Sequence, residues 1–177
     1  VPVAPAIGVA VVALVAAWFV VRPLRADLLA RRAADQIRVQ DLAGARASLE
    51  SATSLAPWNG SYWADLASTE VLSGDVTAAV AAGRRAVQAQ PGVARYEAAV
   101  GDLEVQAGHL AAAARWWDRA RHHDRYNVSL WQDAADWAAL RRPALAPRWY
   151  RQALALDPSN EAFAKKAARW VGTAPGG

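Results

Sequence analysis

Cysteine is absent from this sequence, which excludes a disulfide framework, a thiolate metal site and a cysteine nucleophile. Lysine is confined to Lys165 and Lys166, so the net charge of +4 and the pI near 10.0 rest on arginines scattered among Asp and Glu. No basic run is interleaved with aromatics, and no nucleic-acid partner is expected. Methionine is missing as well, and the chain is read as a fragment that begins downstream of its start codon. What is abundant is alanine. It dominates an apolar share of 54% in place of the β-branched residues that fill sheets, and the nine prolines stand at the start, between Ala-rich stretches or near the end. An all-α fold follows, with room in 177 residues for one domain of about 100–150 residues and a separate segment.

Catalytic patterns are lacking too. There is no Ser, His and Asp arrangement in a credible context, no glycine-rich phosphate loop and no pair of carboxylates on one helix face. No catalytic residue, cofactor or metal is therefore assigned, and the chain is not expected to be an enzyme. His122-His123-Asp124 is the most metal-like cluster, but consecutive residues at a helix end point in different directions and chelate one ion poorly. His109 falls at a turn and is read as solvated.

From Val3 to Val21 the chain carries no charge and no strong hydrogen-bonding side chain. At about 1.5 Å per residue such a run spans the hydrocarbon of a bilayer, and an all-round apolar helix is too greasy for a small soluble core. Residues 1–22 are expected to form a transmembrane helix, flanked by Trp18, Arg22 and Arg25. Pro23 is expected to end it. Arg22, Arg25, Arg31 and Arg32 follow the run and nothing basic precedes it, which places the rest of the chain on the cytoplasmic side of the inner membrane.

Downstream the sequence repeats. Leu55-Ala-Pro57-Trp-Asn59, Gln90-Pro91-Gly92 and Leu156-Asp-Pro158-Ser-Asn160 each close a helical stretch; Pro57 and Pro91 are 34 residues apart, and Arg125 stands where the next proline is due. Small residues recur where paired helices must approach: Ala33, Ala67, Gly101 and Ala135; Ala45, Ala79, Ala113 and Ala146; Ala52, Ala86, Ala120 and Ala153. Leu29, Trp63, Trp131, Trp117 and Tyr150 supply bulk between repeats. Asp41-Leu-Ala-Gly44, Gly74-Asp75 and Gly108-His109 mark the turns, and Arg141-Arg142-Pro143 replaces the fourth.

Trp63, Leu66, Ala67, Gly74, Ala79, Ala86 and Pro91 resemble the tetratricopeptide signature, with Glu70 and Gly83 departing from it. The resemblance covers residues 24–160. It implies a tetratricopeptide-like α-solenoid of four helical hairpins over 23–160, a capping helix over 161–171 and a disordered tail over 172–177. A second, looser resemblance lies at the join: an apolar helix running into Arg22-Pro-Leu-Arg-Ala-Asp27 and then Leu-Ala-Pro-Trp-Asn looks like the carboxy-terminal end of multi-span O-antigen ligase or polymerase proteins. It implies a glycan-assembly parent whose catalytic region lies upstream, so no catalytic position carries over. A stand-alone single-pass scaffold for envelope assembly or secretion is the alternative.

The tetratricopeptide resemblance implies a concave groove lined by the first helices, here Ser61, Ser68, Arg95, Asp102, Gln106, Gln132 and Asp136. A protein or peptide segment is the expected occupant. The Lys and Asn constellation of chaperone-binding members is not visible, since Ala64, Ser68 and Ala98 stand at comparable positions. Nine tryptophans leave a glycan contact open. Trp58, Trp116, Trp137, Trp149 and Trp170 are not demanded by the repeat, and loss of binding in Trp137→Ala or Trp149→Ala would mark a sugar site.

Overall fold

The structure, a computed structural model, describes the backbone of residues 4–141 and 143–171, and within these the side chains of all but 4–17, 19–20, 141 and 171. The tail expected to be disordered lies outside the described residues. All described regular structure is helical: α1 (Ala4–Arg38), α2 (Leu42–Leu55), α3 (Gly60–Leu72), α4 (Val76–Ala89), α5 (Ala94–Gln106), α6 (Leu110–His123), α7 (Val128–Arg141), α8 (Ala146–Leu156) and α9 (Glu161–Val171). The chain divides into two compact units, 1–91 and 92–177.

The repeat is written into the helix starts. Gly60, Ala94 and Val128 open first helices 34 residues apart, and Leu42, Val76 and Leu110 open second helices at the same interval. In unit 1, α1 pairs with α2 and α3 with α4; in unit 2, α5 pairs with α6 and α7 with α8, and α9 packs on α8. All twelve small positions are buried. Nothing larger than a methyl group stands where the ridges of one helix enter the grooves of its partner.

Local chemistry ends the helices. Asp41 Oδ1 accepts from the Gly44 amide at 2.9 Å and Asp75 Oδ1 from the Ala78 amide at 2.8 Å, satisfying donors that the first turn leaves unpaired. Gly74 and Gly108 adopt φ of +81° and +80°. Gly44 departs from the expected turn role: it sits inside the first turn of α2, and Gln40, with φ of 60°, takes the left-handed position. Asn59 and Asn160 cap α3 and α9 through Oδ1 bonds of 3.0 Å to the amides of Ser61 and Phe163.

Pro23 does not end a helix. It lies within α1, which runs unbroken from Ala4 to Arg38, sustained beyond the proline by burial of Ala26 and Ala33 in unit 1. Among the described residues no helix is long and apolar enough to cross a membrane. The run expected to do so falls mostly on positions whose side chains lie outside the described residues.

Candidate functional site

In unit 1 the surface of α3 carries two of the groove residues. Ser61 is drawn into the helix cap, its Oγ donating to Asn59 Oδ1 at 2.7 Å. Ser68 is exposed and donates to the Ala64 carbonyl at 3.0 Å. With Asp65 it edges a shallow cleft of about 150 Å³ whose wall is Ala30, Ala33, Ala34 and Ile37 of α1 and Leu49 of α2. Burial pushes the Asp65 carboxyl above its ordinary range.

Unit 2 holds the others. Arg95 is exposed, with its guanidinium 4.8 Å over the Tyr96 ring and Nη2 donating to the Tyr96 hydroxyl at 2.9 Å. Asp102 keeps an edge to solvent but is crowded by protein, and that desolvation pushes its pKa up to about 6 against the bond it accepts from Trp117 Nε1 at 3.1 Å. Gln106 is exposed at the end of α5, and Gln132 is half-buried in α7. Asp136 is committed to the fold instead, accepting from the Tyr150 hydroxyl at 2.6 Å and pairing with Lys166 of α9. The structure thus leaves Ser68 in one unit, and Arg95, Asp102 and Gln106 in the other, at the surface.

Trp18 is exposed beneath the Arg22 guanidinium at 5.1 Å, and Arg25 is exposed one turn further on. Arg22 also reaches back to the Ser54 carbonyl at 3.2 Å, which ties the flank of the apolar run to α2. Val21, Leu24 and Leu28 remain exposed along the same helix.

Trp117, Trp137 and Trp149 form a buried ladder, with centroids 5.2 and 6.3 Å apart, so Trp137 and Trp149 belong to the core and their truncation would report on stability. Trp58 stays exposed, Trp116 lies under Arg119 at 4.7 Å, and Trp170 stacks on Tyr150 at 6.5 Å. The His122 and His123 rings meet edge to face with centroids 5.8 Å apart, and His123 Nδ1 is bonded to Glu97 at 2.6 Å. Among the described residues no three metal-binding side chains gather.

Residue reading missed the buried carboxylates. Glu97 is wholly buried between His123 and Arg119, and Glu104 is wholly buried on His109 at 2.9 Å, so His109 is held by a partner rather than simply solvated. Glu70 is paired with Arg46, which accounts for its departure from the tetratricopeptide signature. The signal for Glu97 was available: it occupies the repeat column of Trp63 and Trp131, whose indoles bond the loop carbonyls of Pro57 and Arg125 at 3.0 Å.

No protein-family model matches the sequence, and no curated protein matches it. Solved structures do match. PilF of Pseudomonas aeruginosa superposes with a TM-score of 0.68 at 16% identity, over 85% of this chain and 69% of that one. A thermophilic tetratricopeptide protein of Thermus thermophilus gives 0.65 at 16%, over 84% and 82%. YrrB, described as a tetratricopeptide protein with an unusual peptide-binding site, gives 0.64 at 14%, over 81% and 75%. The fold is of the tetratricopeptide type.

Proposed function

We propose that the chain is an interaction module that holds a polypeptide partner against the polar surfaces of its first helices. The carrying observation is a division of labour along those helices: the small residues at repeat spacing are consumed by the core, whereas Ser68, Arg95, Asp102 and Gln106 stay at the surface. Within each unit, packed helices that keep polar side chains at the surface suit an extended or helical segment of another protein. The peptide-binding site named for YrrB supports the same reading by analogy of fold.

In this proposal the apolar start of α1 tethers the module to the inner membrane, with the repeats on the cytoplasmic side. Its support is the uncharged run from Val3 to Val21, with exposed Trp18 near its end and exposed Arg25 after it. The finer version, the tail of a glycan ligase or polymerase, rests on the apolar helix running into the Arg22 to Asp27 join and on the Leu55-Ala-Pro-Trp-Asn59 loop that follows.

A photo-crosslinking side chain placed at Ser68 or Gln106 should trap a polypeptide in a membrane preparation, whereas the same group at exposed Gln152 on α8 should not. Equal trapping at all three positions would sink the reading. Removing residues 1–21 should abolish co-sedimentation with phospholipid vesicles, and unchanged sedimentation would refute the tether.

A further inference from the structure

A cleft of about 430 Å³ opens in unit 2, lined by none of the groove residues described above. Its lining comes from the end of α6 (Asp118, Arg121, His122), from Trp131 of α7 and from the first turn of α8 (Arg148, Trp149). Arg121 is the unusual member. Only 4% exposed, it lies with Cζ 4.2 Å over the Trp149 ring and 5.0 Å over the Trp131 ring. Asp118 takes its Nη2, and its Nη1 has no partner among the described residues.

A buried guanidinium with an orphan donor is costly, and the cost calls for a compensating group. Burial pushes the Arg121 pKa down, and nearby Arg148 adds to that push, while Asp118 opposes both. The first turn of α8 adds the positive end of its helix dipole, though Pro147 carries no N–H and the Ala146 amide already donates to the Pro143 carbonyl at 3.3 Å. Arg121 and Arg148 against Asp118 leave one net positive charge among the three. That balance suits a singly charged ligand. A phosphate dianion would over-compensate it, and the indole walls favour an anion carried on an apolar stem.

We propose that this cleft binds a carboxylate borne by the partner polypeptide, with Arg148 as the entering contact and Arg121, clamped between Trp131 and Trp149, as the fixed charge behind it. The proposal rests on the interaction-module reading and supplies the chemistry of one of its contacts. The carboxylate belongs either to an acidic side chain or to a chain terminus, and the probes below separate the two.

The test titrates the full chain with N-acetyl-Leu-Glu-Leu amide, its Gln counterpart, and N-acetyl-Leu-Gln-Leu with a free terminus, following the indole N–H resonances of Trp131 and Trp149. The Glu peptide should bind saturably and about tenfold tighter than the Gln amide, as expected for a charge-assisted contact. Tight binding of the free-terminus peptide as well assigns the site to either source, and binding of the Glu peptide alone assigns it to a side chain. Arg148→Ala, at an exposed position that folding does not need, should weaken the Glu peptide about fivefold, and Asp118→Asn should tighten it about threefold, because it removes the competing charge. Binding of the free-terminus peptide alone assigns the site to a chain terminus, whereas equal binding of all three peptides, indifference of the carboxylate peptide to Arg148→Ala, or tighter binding of inorganic phosphate than of any carboxylate peptide overturns the proposal. So does the absence of saturable shifts with every peptide. Crosslinking at Ser68 and Gln106 decides the interaction-module reading separately, so the two can fail independently.

Discussion

A methyl group placed on Gly101 would lie 2.5 Å from Cδ1 and Nε1 of Trp117. The flat of this buried indole occupies the space that alanine fills at the equivalent position of the other hairpins, and the same Nε1 reaches Asp102 at 3.1 Å. Gly101→Ala should therefore displace a rigid ring and disturb its hydrogen bond, costing about 1–3 kcal/mol. Gly74→Ala meets nothing within 4 Å and strains only a backbone at φ +81°, which costs about 1 kcal/mol. Urea unfolding should rank Gly101→Ala as the more damaging, and the reverse order would show that the ring yields.

Asp102 makes stability depend on pH in an unusual direction for a carboxylate. Its folded pKa is pushed up to about 6 from the ordinary 3.8, so between these values the folded chain holds a proton that the unfolded chain has lost. Its contribution is fully present below about pH 4 and is lost as the pH rises through about 6. In Asp102→Asn this term vanishes while an acceptor for Trp117 remains. The difference in melting temperature, Asp102→Asn minus wild type, should grow in favour of the variant from pH 4 to pH 7; a flat difference would remove Asp102 from the account.

Arg46 pairs with Glu70, which is buried in unit 1. Arg46→Ala leaves that carboxylate without its cation, and unfolding by urea should show a loss of about 2–3 kcal/mol. Adding Glu70→Gln should recover part of the loss, because a neutral amide is cheaper to bury than an unpaired charge. No recovery in the double variant would mean that Arg46 acts through packing of its stem.

Helix α9 is held by Phe163 and Ala167, which bury it against α8, with the Phe163 ring 5.3 Å from Tyr150. Phe163→Ala should cost about 3 kcal/mol and raise dye binding by exposed apolar surface. Unchanged stability would show that α9 contributes little to unit 2.

Small residues together with proline loops at a 34-residue spacing made the hairpins legible, since close helix approach tolerates few residue types and leaves a periodic trace. The Gly and Asp turns were legible for the same reason, except at Gly44, where Gln40 took the left-handed position. Proline at position 23 misled, because a proline can be carried inside a helix when packing beyond it, here of Ala26 and Ala33, offsets the lost hydrogen bond. The candidate surface was half legible. Ser68, Arg95, Asp102 and Gln106 remain available, while Ser61 and Asp136 are taken up by a cap and by Tyr150 and Lys166.

Composition and periodicity by themselves determined the all-helical class, the 34-residue spacing and the buried column of small residues, because these are local or repeating constraints on one helix and its neighbour. Only the tertiary structure decided which charges are buried and with whom: Glu97 with His123 and Arg119, Glu104 with His109, and Arg121 between two indoles. Apart from the local contact of Glu104 with the turn residue His109, these pairings join residues from different helices, and the energy of burying a charge depends on the partner that arrives in space, which linear spacing does not encode.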